Sequence, residues 1–361
     1  MRLSHLKFPA IMSLMMALFY RSFPRIVAAI SIAAAGGLAA GAPAAAHSGQ
    51  CARSLVTVAL TADRAAPRYR LMTWLCTPKR PTSVVQVLMS GFTYDHHYWT
   101  VASPGRRSYV QSALAAGYAV LHVDRIGVGG SDRPPADQVN ADTEAHVAHQ
   151  LVQRLRKDRY RTVVAVGHSY GSLIWAAESH RYDDVDALVL SGYLHGTDVP
   201  TQLLIRAHLQ QAEGAPPGYL TQAPNFRRRA YLHPPGVTRQ MTELDERLRT
   251  TGTSGELTSL KNLADPTYTS RIRRPVLLQI GVQDLLFCNP LTGLSCATPA
   301  DLCAREKALY PRAPLSTTVQ RDTGHSMLIH RSAQAGTATT LAWIDHTLRR
   351  GPHPRAVLDC R

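Results

Sequence analysis

"VVAVGHSYGS", Val163 to Ser172, sets an apolar run against a serine with a glycine two residues away on each side. Val163, Val164, Ala165 and Val166 offer nothing polar to either side, so they read as a strand buried on both faces. Gly167 ends the run and Gly171 opens a second apolar stretch with helical character. Side chains at 167 and 171 would collide with the neighbouring strand and helix, which accounts for glycine at both. The turn lifts Oγ of Ser169 above the sheet edge and aims a helix N-terminus at it, where negative charge is favoured. The plain alternative is an ordinary strand–turn–helix junction, and the rest of the chain has to decide.

Working outward, strands are predicted at Leu55–Thr61, Tyr69–Cys76, Val84–Met89, Ala119–Asp124, Thr162–Gly167, Ala187–Ser191, Val276–Gly281 and Ser316–Gln320. Helical segments fall at Ser108–Ala116, Asp142–Lys157 with Asp142 as N-cap, Gly171–His180, Thr298–Tyr310 and Thr337–Arg349. This alternation indicates an α/β fold with a mostly parallel eight-stranded sheet, opened by an antiparallel pair. The rhythm breaks between Ser191 and Val276, too long an interval for a structureless loop. Helical patterns at Thr201–Gln211, Thr238–Thr250 and Ser254–Leu263 make it a helical lid over the carboxyl edge of the sheet. The expected organisation is a leader at 1–46, a core at 47–193 and 275–361, and a lid at 194–274.

A serine hydroxyl is a poor nucleophile at neutral pH and needs a base, which in turn needs an orienting carboxylate. His325, in Asp322-Thr323-Gly324-His325-Ser326 just past the last strand, is the best base; His330 and His346 lie in or near the last helix. Asp284 ends "PVLLQIGVQD" just after the penultimate strand and is better placed than Asp198 or Asp301. The order Ser169, Asp284, His325, each at a strand's carboxyl end, resembles the α/β-hydrolase superfamily from about Leu55 to Arg349.

The resemblance implies Ser169 as nucleophile, Asp284 as acid and His325 as base, with no metal or organic cofactor. In "VLMSGFTYDHHYW", Ser90 stands where the family usually has histidine before its oxyanion loop, and the likeness implies an oxyanion hole from the N–H groups of Phe92 and Tyr170. "DRIGVGGSD", Asp124 to Asp132, resembles the loop after the fourth strand, with Asp124 and Arg125 in a structural role. Tyr94, Tyr98 and Trp99 either line an acyl pocket or pack a loop against the lid. Asp95, His96 and His97 are read as structural or pocket-lining, because adjacent histidines seldom converge on one ion.

Residues 1–46 hold four basic residues, no acidic ones, an apolar run and Ala44-Ala45-Ala46, the order of a cleaved secretory signal. An uncleaved membrane anchor is the alternative. Cleavage would leave 36 Lys and Arg against 25 Asp and Glu, net +11. No nucleic-acid motif accompanies that charge, and Arg227-Arg228-Arg229 reads as a solvated helix end. Six cysteines, Cys51, Cys76, Cys288, Cys296, Cys303 and Cys360, suggest disulfides in an exported chain. Cys51 and Cys76 could meet across a hairpin; the full pairing stays open. The expected activity is secreted cleavage of small-molecule or lipid esters through an acyl-enzyme, without membrane insertion of the cleaved chain. A thioesterase, a peptidase or amidase, and a non-catalytic binding protein on the same fold are the alternatives.

Overall fold

The computed structural model describes residues 50–197, 199–289 and 293–361. The expected leader at 1–46 and Asp198 lie outside the described residues. Strands β1 (Gln50–Ala59), β2 (Arg68–Thr77), β3 (Val84–Met89), β4 (Ala119–Val123), β5 (Thr162–His168) and β6 (Ala187–Ser191) are followed, after the insertion, by β10 (Val276–Gly281), β11 (Leu315–Gln320) and β12 (Leu358–Asp359). They form one sheet in the order β1-β2-β4-β3-β5-β6-β10-β11-β12. β1, β2 and β4 pair antiparallel, the run from β4 through β11 is parallel, and β12 closes the edge antiparallel.

All of β4, β6 and β10 is buried, as is β5 after its first residue, which is why those strands lack polar alternation. Helix Ala141–Asp158 packs on helix Tyr170–Arg181, and helix Tyr109–Ala115 on Ala333–Thr347. The first of these starts two residues earlier than an N-cap at Asp142 predicts. Its N-cap is Asn140, whose side chain accepts from the N–H groups of Asp142 and Thr143. Cys51 faces Cys76 across the β1–β2 hairpin and is bonded to it; Cys288–Cys296 and Cys303–Cys360 are the other pairs. No described cysteine is free, and no described helix is long and apolar enough to cross a membrane.

The insertion is not wholly helical. Helices Val199–Ala207, Phe226–Ala230, Arg239–Arg247 and Ser254–Ser259 are joined by a three-stranded antiparallel sheet of β7 (Leu209–Gln211), β8 (Tyr219–Gln222) and β9 (Gly252–Thr253). The helix expected to run to Gln211 stops at Ala207. The turn containing Ala215-Pro216-Pro217-Gly218, with Gly214 and Gly218 at positive φ, folds Leu209–Gln211 back onto Leu220–Gln222.

Buried charges bind the insertion to the core. Arg227, expected in solvent with Arg228 and Arg229, is buried. Its guanidinium grips Asp245 through Nη2–Oδ1 at 2.6 Å and Nε–Oδ2 at 3.1 Å and lies 3.6 Å above the Tyr94 ring. A second buried arginine, Arg125, pairs with Glu144 at 2.8 Å and with Glu256 of the insertion. Removing one partner of such a pair strands the other, at a cost of about 3–5 kcal/mol.

Candidate active site

Ser169 occupies the turn between β5 and helix Tyr170–Arg181, with φ 53° and ψ −120°. A serine in that region stores about 1–3 kcal/mol of strain, sustained by the surroundings. Its own N–H donates to Ser191 O at 2.8 Å. The flanking glycines answer to backbone. A Cβ at Gly167 would lie 2.5 Å from Ser172 Cα, and one at Gly171 2.1 Å from Met89 O, at the end of β3. Neither neighbour is a flexible side chain. Gly171→Ala is therefore expected to destabilise the protein by about 3 kcal/mol, the upper end of ordinary overpacking. Urea unfolding checks this; a loss below about 1 kcal/mol would show that β3 and the helix can part freely.

The three residues picked from the sequence come together. His325, on the loop after β11, places Nε2 2.9 Å from Ser169 Oγ and Nδ1 2.8 Å from Asp284 Oδ2. Asp284 follows β10 in a turn, and its Oδ1 accepts from the Leu286 N–H at 2.9 Å. Asp284 and His325 are buried, whereas Ser169 keeps partial access to solvent. The rival acids and bases are otherwise employed. Asp301 closes a capping box with Thr298. His346 hydrogen-bonds Gly351 O.

His330 braces the loop that carries His325. Its Nε2 accepts from Gly324 N–H at 3.0 Å and His233 N–H at 2.9 Å, and Nδ1 donates to Ser326 O at 2.9 Å. Burial lowers its pKa to about 4, and burial with help from His96 lowers that of His122 to about 3. His168, stacked on Tyr98 with ring centroids 4.4 Å apart, is held well below the usual histidine value by burial and then by His325. In the unfolded chain each titrates near 6.5. Below that pH the unfolded chain takes up protons that the folded one refuses, so stability is full above about pH 6.5 and falls as acid is added. His330 alone contributes a loss of about 2 kcal/mol between pH 6.5 and 5. His330→Gln, which can accept but not titrate, is expected to flatten that part of the pH profile in urea melts. An unchanged slope would contradict it.

The loop after β3 is a tight turn closed from within. Tyr94 N–H donates to Gly91 O at 3.2 Å, Ser90 Oγ donates to Tyr94 O at 2.9 Å, and Thr93 has φ 59°. Position 91 abuts the serine: a Cβ there would sit 3.0 Å from Ser169 Cβ. The N–H groups of Phe92 and Tyr170 have no acceptor among the described residues. Sequence reading missed what orients this turn. Arg125 Nη2 donates to Gly91 O at 3.1 Å, and nothing local to Arg125 signals that reach. It also missed the Tyr94 hydroxyl, which bridges Asp245 and Ser326, the neighbour of His325. Tyr94, Tyr98 and Trp99 are buried packing residues. His96 binds Asp124 and His97 binds Asp95, so the two histidines serve different carboxylates.

The sequence profile of the Alpha/beta hydrolase family matches residues 86–339, and the chain belongs to that family. Among solved structures it is similar to a thermophilic esterase from Thermogutta terrifontis, at 15% identity and TM-score 0.55, covering 81% of this chain and 99% of that one. It is also similar to E-2-(acetamidomethylene)succinate hydrolase, at 15% identity and TM-score 0.53, covering 82% and 100%. A third is the monoacylglycerol lipase of Paleococcus ferrophilus, at 16% identity and TM-score 0.50, covering 77% and 99%. Likeness at this identity speaks for the fold. A search of curated proteins finds no match.

Proposed function

We propose that the protein is a secreted serine hydrolase that cleaves carboxylic esters through an acyl-enzyme. The observation that carries this reading is the unbroken chain from Ser169 Oγ to His325 Nε2, at 2.9 Å, and from His325 Nδ1 to Asp284 Oδ2, at 2.8 Å. His325 takes the proton of Ser169 as Oγ attacks the ester carbonyl; Asp284 holds the imidazole with Nδ1–H toward itself and steadies the imidazolium that forms. The N–H groups of Phe92 and Tyr170 receive the oxyanion, aided by the N-terminus of the helix that starts at Tyr170. His325 then protonates the leaving alcohol, and water repeats the sequence to free the acid. Residues 194–274 act as the lid of this site and 47–193 with 275–361 as its core.

Export rests on the leader-like residues 1–46 and agrees with three disulfides among the described residues. The deciding experiment is labelling by a fluorophosphonate probe together with hydrolysis of a nitrophenyl ester series. Stoichiometric labelling of wild type, absent in Ser169→Ala, supports the reading; a wild type inert to both reagents overturns it in favour of a binding protein. The N-terminal residue of the exported chain tests the leader.

A further inference from the structure

Tyr94 touches two loops of the serine site at once. Its backbone closes the turn after β3: the N–H donates to Gly91 O at 3.2 Å, and the carbonyl accepts from Ser90 Oγ at 2.9 Å. Its hydroxyl reaches the loop after β11, where it meets Ser326 Oγ at 2.5 Å and Asp245 Oδ1 at 2.7 Å. A tyrosine has one hydroxyl proton, and a carboxylate only accepts. The Tyr94 proton therefore goes to Asp245, and the Tyr94 oxygen takes the proton of Ser326 Oγ–H.

The insertion sets where that hydroxyl points. Arg227 holds Asp245 at 2.6 and 3.1 Å and lies 3.6 Å above the Tyr94 ring. Its Nη1 also donates to Thr93 O at 3.4 Å. Tyr94, Arg227, Asp245 and Ser326 are all buried. Polar contacts made away from water are strong, and costly when one is missing.

At the other end, Ser326 is the centre of a tight turn. It has φ −80° and ψ 72°, and Met327 N–H donates back to His325 O at 2.9 Å, which makes an inverse γ-turn. Ser326 N–H donates to Tyr231 O at 3.0 Å, and Ser326 O accepts from Ile329 N–H at 3.0 Å and His330 Nδ1 at 2.9 Å. Those contacts use backbone atoms that any residue at 326 would offer. The bond to Tyr94 exists only because 326 is serine and 94 is tyrosine. It fastens the residue next to His325, whose Nε2 must stay on Ser169 Oγ while Nδ1 stays on Asp284. A misplacement of about 1 Å at such a group costs about 100-fold in rate.

We propose that Tyr94 is a positioning residue of the serine site: its hydroxyl, aimed by Arg227 and Asp245 of the insertion, fixes through Ser326 the backbone from which the His325 imidazole projects. The proposal rests on the reading of His325 as the base.

The test compares wild type with Tyr94→Phe, Ser326→Ala and the double variant, as exported protein with its disulfides intact. A short nitrophenyl ester gives kcat and KM, and the rate of fluorophosphonate labelling follows attack by Ser169 separately. Each single variant is expected to lower kcat and the labelling rate together by about 10–100-fold, with KM within about twofold of wild type. The double variant should be no slower than the slower single, because both changes remove the same contact. Tyr109→Phe is the control for loss of a buried tyrosine hydroxyl, which there donates to Gln86 Oε1 at 2.8 Å. It should lower Tm as Tyr94→Phe does and leave kcat unchanged. A wild type that labels and turns over, beside a Tyr94→Phe that keeps both rates within about twofold, overturns the proposal and leaves the serine reading standing. Losses that multiply in the double variant, or an equal fall of kcat in Tyr109→Phe, do the same. A wild type inert to both reagents removes the reading and the proposal together.

Discussion

Ser169→Ala is expected to lower kcat/KM for a short nitrophenyl ester by a factor on the order of 10⁵–10⁶, with no loss of the folded state. The loss is so large because no other group stands in for Oγ. The hydroxyl sits 2.9 Å from Nε2 of His325, at a turn residue with φ 53° and ψ −120°. What activity remains would come from the oxyanion donors and substrate binding acting on water, which in other triads is worth 10³–10⁴ over the uncatalysed rate. Melting temperature should hold, since the strained φ of 53° is imposed by neighbours rather than by the hydroxyl. A variant that keeps a tenth of wild-type turnover would remove Ser169 from the reaction.

Asp284→Asn is the second large effect, about 10³–10⁴ in kcat with KM little changed. Asp284 accepts twice, from Leu286 N–H through Oδ1 and from His325 Nδ1–H through Oδ2. Asparagine has one oxygen. If that oxygen stays on Leu286 N–H, the amide NH₂ faces Nδ1, which must then accept; the proton moves to Nε2 and points at Ser169, and the base is gone. Turning the amide restores His325 at the expense of a donor–donor clash with Leu286 N–H. Either outcome is visible as a fall in kcat without a matching fall in melting temperature. A change of less than tenfold would place the orienting carboxylate elsewhere.

The core was legible because its strands are buried on both faces and bounded by turn residues. Val84–Met89, Ala187–Ser191 and Val276–Gly281 have the bounds that their apolar runs suggest. The convergence of the candidate site was legible for the same reason: Ser169, Asp284 and His325 each sit just beyond such a strand. The insertion was not. Leu209–Gln211 continues a helical pattern, but pairing with Leu220–Gln222 decides its shape. Arg227 looked solvated because its partners, Asp245 and the Tyr94 ring, lie 18 and more than 130 residues away. β12 has two residues and no periodicity to read; it is set by pairing with Ser316 and Thr317 and by the Cys303–Cys360 bond.

Arg125 interlocks two parts of the molecule that the sequence keeps apart. Its guanidinium steadies the Gly91 carbonyl on one side and takes Glu256 of the insertion as a counter-ion on the other. A peptide unit is flat and trans, so fixing the Gly91 oxygen in one direction sends the Phe92 N–H in the opposite one. Lifting residues 252–259 would deprive a buried arginine of one of its two anions and slacken that peptide in the same motion. Any displacement of residues 252–259 would thus be felt, through one guanidinium, at the peptide that lies against Ser169.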